Sequence, residues 1–194
     1  MWDERTGYVR LRWSGFSAVF NDEPFGLRSG YYKEAEFDGI DGPYVYYGDD
    51  AGYKVYNVTA HGQPVKTTLT GNGKLHVEVP IEKPMQFNVQ LRDSVSLTPS
   101  GYPMPSRLLI ISDIEGNFKG FYDFLIGNKV IDSGFNWIFG DGHLVLLGDF
   151  VDRGNFVIQV LWLVYMLEQK AAAAGGQVHY ILGNHEIINL EGIP

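Results

Sequence analysis

The stretch Leu144–Gly154 reads LVLLGDFVDRG: an apolar run that breaks on Gly148, Asp149, Asp152, Arg153 and Gly154. Two carboxylates and a guanidinium at the end of a buried strand suit two jobs. The carboxylates can donate oxygen to a cation, and the arginine presents a planar fork to an anion. A second such ending is Gly183-Asn184-His185-Glu186, which follows QVHYIL and adds an amide oxygen and a histidine that can move a proton near neutral pH. A third is Ser112-Asp113-Ile114-Glu115-Gly116-Asn117, after RLLII. Clustered carboxylates repel unless a cation neutralises them, so a bound metal is the simplest resolution. An arginine beside a metal matches the two requirements of phosphate recognition, charge neutralisation and bidentate hydrogen bonding. Taken singly, each piece has a plainer reading. Asp113 could cap the next helix, Arg153 could pair only with Asp149 or Asp152, and His185 could fill a gap.

These residues must be carried by elements that bring them together. RLLIIS, HLVLLG and QVHYILG are continuous apolar runs, as expected of strands covered on both faces. Between the first two, Phe118, Phe121, Tyr122 and Leu125 fall on one helical stripe. Between the second and third, Asn155–Ala174 reads as a long apolar helix closed by Gly175-Gly176. Strand, helix, strand, helix, strand with short connections predicts parallel strands. Ligands in such sheets gather beyond the carboxyl ends, where all three polar clusters lie.

The first half has a different texture. YVRLRW, PYVYYG, GYKVYNVTA, KLHVEVP and MQFNVQLR are short alternating runs separated by Gly, Asp and Pro, which predicts a small sandwich or barrel. Leu75, Val77 and Val79 share a face, as do Phe87, Val89 and Leu91. Gly71-Asn72-Gly73 reads as a tight turn between TTLT and KLHVEV. Residues 14–30 receive no element. Tyr31, Tyr32, Tyr44, Tyr46, Tyr47, Tyr53 and Tyr56 either pack this β-region or line a binding surface. The proline-rich SLTPSGYPMPS marks a break. The expected organisation is an all-β domain at residues 1–98, a linker at 99–106 and an α/β domain at 107–194.

Composition narrows the classes. The 194 residues carry a formal net charge of -8, with 5 basic and 10 acidic side chains in residues 101–194. There is no basic patch for nucleic acid. No cysteine is present, which removes disulfides, zinc-thiolate sites and cysteine nucleophiles. The longest apolar run, Phe156–Leu167, is too short and too interrupted to span a bilayer.

DIEG, GDFVDRG and GNHE, each after an apolar strand, resemble the first three signatures of calcineurin-like metallophosphoesterases, D-x-H-G, GD-x-x-DRG and GNHE. The likeness is to the phosphoprotein-phosphatase branch and covers residues of about 106–190. With the small all-β N-terminal domain read above, which carries none of the likeness, it implies an α/β fold whose second part is the first βαβαβ half of a metallophosphoesterase α/β sandwich. It implies two divalent metal ions, manganese, iron, zinc or magnesium. Asp113 and Glu115 would serve the first ion, Asp149 would bridge, and Asn184 would serve the second. Arg153, Asn184 and His185 would bind substrate. His185 would be the general acid oriented by Asp152, and a metal-bridging hydroxide would attack phosphorus. The substrate would be a phosphorylated small molecule or a phosphoprotein.

Two departures stand out. Glu115 replaces the histidine of D-x-H. It either ligates as a hard donor, favouring manganese, magnesium or iron, or points away and weakens the first position. The family also supplies further histidines after GNHE, whereas His61, His76, His143 and His179 all lie at or before the third strand. The chain is therefore expected to hold half of a catalytic domain. Apolar sheet faces on the Ile110, Leu146 and Tyr180 strands would await a missing C-terminal half or a second copy. The alternative is a non-catalytic phosphate-, metal- or partner-binding module.

Overall fold

A computed structural model describes residues 8–12, 26–30, 41–47, 52–59, 64–69, 73–94 and 99–191. The chain divides into two compact units, Met1–Asp38 and Gly39–Pro194. In the first, β1 (Tyr8–Arg12) pairs antiparallel with β2 (Gly26–Gly30). β1 falls on the alternating YVRLRW. β2 is GLRSG, in the stretch where no element was expected, because its two glycines and serine carry almost no strand signal.

In the second unit, β3 (Asp41–Tyr47), β4 (Tyr53–Val58) and β5 (Pro64–Leu69) form an antiparallel meander. Tyr46 and Tyr47 are exposed on it, while Tyr53 packs against the core; Tyr31 and Tyr32 lie outside the described residues. β6 (Lys74–Val79) and β7 (Met85–Gln90) make a hairpin. Their apolar face is the one that alternation predicts: Leu75, Val77, Val79, Phe87, Val89 and Leu91 are all buried. β5 and β6 belong to different sheets, so TTLT and KLHVEV do not pair with each other across the expected tight turn. Their apolar faces pair elsewhere, and Gly71 and Asn72 lie outside the described residues.

The remainder is β8 (Leu108–Ile111), α1 (Phe118–Gly127), β9 (His143–Leu146), α2 (Val157–Ala173), β10 (Gln177–Tyr180) and α3 (Asn184–Glu191). The strands are parallel, in the order β10-β9-β8. Both crossovers step in the same direction across the sheet, so right-handed connections put α1 and α2 on one face. Leu144, Leu146 and Val178 are buried beneath them. This corrects the expectation of strands covered on both faces. Leu108, Ile110, Leu147 and Ile181 point the other way, and each is about half exposed. The open apolar face expected on the Ile110, Leu146 and Tyr180 strands is thus made by these four residues, while Leu146 itself lies on the buried side.

The helices follow from local sequence. α1 is capped by Asn117, whose Oδ1 accepts from the Gly120 N–H at 2.9 Å, so Asp113 is not the cap. Its stripe of Phe118, Phe121, Tyr122 and Leu125 is buried. Phe118 stacks on Phe87 of β7, with ring centroids 6.1 Å apart. The Arg92 guanidinium bonds Glu168 of α2 at 2.7 Å, and its backbone N–H donates to the Tyr165 hydroxyl at 2.7 Å. Residues 99–106 separate the β-strands from the α/β segment in sequence. Buried residues on both sides nevertheless form one hydrophobic cluster within the unit Gly39–Pro194. Among the described residues, no helix is long and apolar enough to cross a membrane.

Phe118 joins the hairpin to the helical layer, so Phe118→Ala should lower unfolding free energy by about 3–5 kcal/mol. Chemical denaturation of the chain measures this. A loss below about 1 kcal/mol, the scale of a surface change, would show that the two layers do not share a core.

Candidate functional site

Parallel pairing delivers the exits of β8, β9 and β10 to one edge. The loops there are joined through their backbones. The Asp113 N–H donates to the Gly148 carbonyl at 3.1 Å, Glu115 to Asp149 at 3.0 Å and Gly116 to Phe150 at 2.9 Å. This closeness requires missing side chains. A Cβ on Gly148, whose φ is +82°, would strike the Gly183 backbone, and one on Gly154 would strike Glu115 and Gly116.

The same contacts hold side-chain-bearing residues in the left-handed region. Among the described residues, seven non-glycines have positive φ, and five are here: Asp113 (56°), Glu115 (48°), Asp149 (56°), Asp152 (70°) and Arg153 (60°). Such conformations cost energy and persist only where surrounding bonds enforce them.

At Asp149 an enforcing group is Glu186, one residue beyond His185 and 5% exposed. Its Oε1 accepts from the N–H groups of Phe150 at 2.8 Å and Val151 at 3.2 Å, and from the Tyr180 hydroxyl at 3.1 Å. Its Oε2 accepts from Asp149 N–H at 2.8 Å and Gly183 N–H at 2.7 Å. One carboxylate thus satisfies four backbone donors from two strand exits. Burial pushes its pKa up. The hydrogen bonds from Asp149, Phe150, Gly183 and Tyr180 outweigh that, and the net direction is down. Sequence reasoning missed this residue. The available signal was a turn, Gly148–Val151, whose N–H groups had no strand partner to meet.

Four charged or titratable side chains, Glu115, Arg153, His185 and Asp152, lie in a row. Arg153 forms an ion pair with Glu115. Its Nη2 also lies 3.2 Å from Nε2 of His185. The other ring nitrogen, Nδ1, is 2.8 Å from Asp152 Oδ2. Hydrogen bonds from His185, then from Asn189, hold the Asp152 carboxyl below its ordinary range, so it is ionised at neutral pH. An arginine only donates and a carboxylate only accepts, so the imidazole carries its proton on Nδ1 and a lone pair on Nε2. The His185 backbone N–H donates to Asp149 Oδ1 at 3.1 Å.

Asp113 and Asn184 stand exposed on the flanking exits. Asp113, Asp149 and Asn184 thus supply hard oxygen donors along one edge, suited to a divalent cation. Glu115 is engaged by Arg153. Among the described residues, no group of three or more His, Cys, Asp or Glu side chains is gathered around a common point. The donor chemistry fits a metal, while the set gathered here is incomplete. The other described histidines lie elsewhere: His143 and His179 face each other at 3.0 Å beside Tyr102, and His76 sits against Asn88.

Comparison with known proteins bears on this arrangement. Residues 106–193 match the family model of calcineurin-like phosphoesterases. Shewanella-like protein phosphatase 2 of Arabidopsis thaliana is 34% identical over 91 residues, 47% of this chain and 23% of that protein. Shewanella-like protein phosphatase 1 of Plasmodium berghei (strain Anka) is 33% identical over 86 residues, 44% and 24%. Among solved structures, a cold-active protein-tyrosine phosphatase of a psychrophilic Shewanella species superposes with a TM-score of 0.67 at 33% identity, covering 78% of this chain and 45% of that one. The chain thus spans about a quarter of these curated relatives. The structural likeness reaches past residues 106–193 into the β-region, where the sequence motifs show none.

Glu186 gives this edge a defined pH response. Its native pKa lies below the ordinary 4.5, so its stabilisation is fully present above that pH and is lost as pH falls through the lowered value. Glu186→Gln places an amide N–H₂ against backbone donors. It should cost at least about 2 kcal/mol at neutral pH and flatten the acid limb of stability against pH. Equal stability of variant and parent at pH 7 would remove Glu186 from this role.

Proposed function

We propose, from the match of residues 106–193 to the family model of calcineurin-like phosphoesterases, that the chain carries the phosphate-recognition and proton-transfer half of a metal-dependent phosphomonoesterase acting on phosphoproteins. The observation that carries this reading is the position of Arg153, which meets the Glu115 carboxylate and the His185 Nε2 at once. A carboxylate resembles one edge of a phosphoryl group in charge and shape, so Glu115 occupies the fork that a substrate would use.

An incoming monoester dianion replaces Glu115 on the guanidinium and draws Arg153 away from Nε2. With Nδ1–H held on Asp152, Nε2 becomes the atom that takes up a proton and delivers it to the leaving oxygen. The ionised Asp152 steadies the imidazolium that forms. Asp113, Asp149 and Asn184 would hold divalent cations. Bound ions would neutralise phosphoryl charge and acidify water. We propose that the remaining ligands come from a further part of the fold, since the chain covers under half of the solved relatives. A phosphoprotein substrate is favoured by the names those relatives carry.

One observation favours a second reading, phosphate binding without turnover: no three-residue metal-holding group is gathered among the described residues. Hydrolysis of 4-nitrophenyl phosphate with manganese, above the rate with manganese alone, separates the two. Phosphate binding without hydrolysis supports the second.

Both readings require the same anion exchange on Arg153. In calorimetric titration with inorganic phosphate at fixed ionic strength, Arg153→Ala should weaken binding about tenfold or more. Glu115→Gln should tighten it roughly two- to fivefold, the scale of a partly exposed ion pair. Unchanged or weaker binding in Glu115→Gln would mean that Glu115 does not compete for the fork.

A further inference from the structure

The His185–Asp152 pair is closed into a ring by a third residue. Asn189 lies one turn after His185 on α3, on the same side of the helix. Its Nδ2 is 3.0 Å from Asp152 Oδ1, 3.0 Å from Asp152 Oδ2 and 2.9 Å from the His185 carbonyl oxygen. The path runs from the imidazole to the carboxylate, to the amide and back to the backbone of the histidine itself.

We propose that Asn189 is a positioning residue that holds the Asp152 carboxylate against His185 Nδ1 and thereby selects the imidazole tautomer. A carboxylate held at one oxygen can rotate about its Cβ–Cγ bond. A donor placed between both oxygens removes that rotation and leaves Oδ2 aimed at Nδ1. Asp152 needs such support because its own backbone sits at a φ of 70° in a loop at the domain surface. The His185 carbonyl also accepts from this amide, so the carboxylate is tied to the helix that carries the ring. Moving one moves the other.

Why an asparagine stands here follows from its chemistry. Its side chain is acceptor and donor, so the NH₂ end can serve two acceptors without adding charge. A lysine would neutralise Asp152 and weaken its hold on the imidazolium. Asparagine is a poor residue for a helix interior, and alanine or leucine would favour the helix more. Stability of α3 therefore does not account for it. The functional meaning of this frame rests on the phosphatase reading, but the frame itself is testable without turnover.

The test is proton–nitrogen correlation spectroscopy of the ¹⁵N-histidine-labelled chain at fixed neutral pH. In the parent, His185 should show the Nδ1–H tautomer with a slowly exchanging proton. Asn189→Leu, which keeps the size, and Asn189→Ala should both lose that slowly exchanging signal and shift toward Nε2–H. Asp152→Asn marks the full loss for comparison. Backbone amide spectra of both Asn189 variants should match the parent outside α3 and the Asp152 loop. Persistence of the Nδ1–H signal in either folded variant would overturn the proposal. If hydrolysis is never found but the signal is lost as described, the positioning role stands and only the reaction assigned to it falls.

Discussion

The buried carboxylate of Glu186 is the constraint on which the rest of this site depends. A loop that turns sharply off a buried strand leaves its N–H groups without partners, and burying them unpaired is costly. Glu186 collects four of them, from Asp149, Phe150, Val151 and Gly183. Because the donors come from two strand exits, the same bonds that pay for the turn also fasten the exits together. His185, next to Glu186 in sequence, is thereby delivered to Asp152 and Arg153. The left-handed conformation of Asp149 is held by this clamp.

Glycine supplies the matching negative space. Gly148 against Gly183 and Gly154 against Gly116 are approaches that any side chain would prevent. Three strand exits can therefore lie closer together than ordinary loops could, which is what lets Arg153 span from Glu115 to His185. Glu115 is the departure from the family pattern. Where the signature has a histidine, this chain has a residue that carries a charge opposite to that of Arg153. Its pairing with Arg153 gives the site an internal anion, which the proposed function ties to recognition.

Much of this was legible in the sequence because it was local. Asp149, Asp152, Arg153 and His185 announce themselves by type and by the apolar runs before them, and α1 follows from a four-residue stripe. The alternation in β6 and β7 names their buried face correctly. What stayed hidden depends on distant partners. Glu186 is one acid among ten in its half of the chain until the loop it serves is seen. An open sheet face was expected, but which side chains line it stayed hidden, because strands of four residues are too short to reveal alternation. β2 is nearly featureless by composition. The shared core of the β-strands and the α/β segment depends on contacts such as Phe87 with Phe118, which bridge the proline-rich stretch that suggested a break.

Under the proposed function, the fork of Arg153 is an oxyanion seat filled by Glu115, at an edge where oxygen donors suit a cation. A crystal structure of the chain grown with manganese and orthovanadate addresses this most directly. The account predicts vanadate on the Arg153 guanidinium, Glu115 swung off it, His185 Nε2 turned to the oxyanion, and manganese on Asp149 with Asp113 or Asn184. Vanadate bound elsewhere while Glu115 stays on Arg153, with no ion beside Asp149, would contradict it.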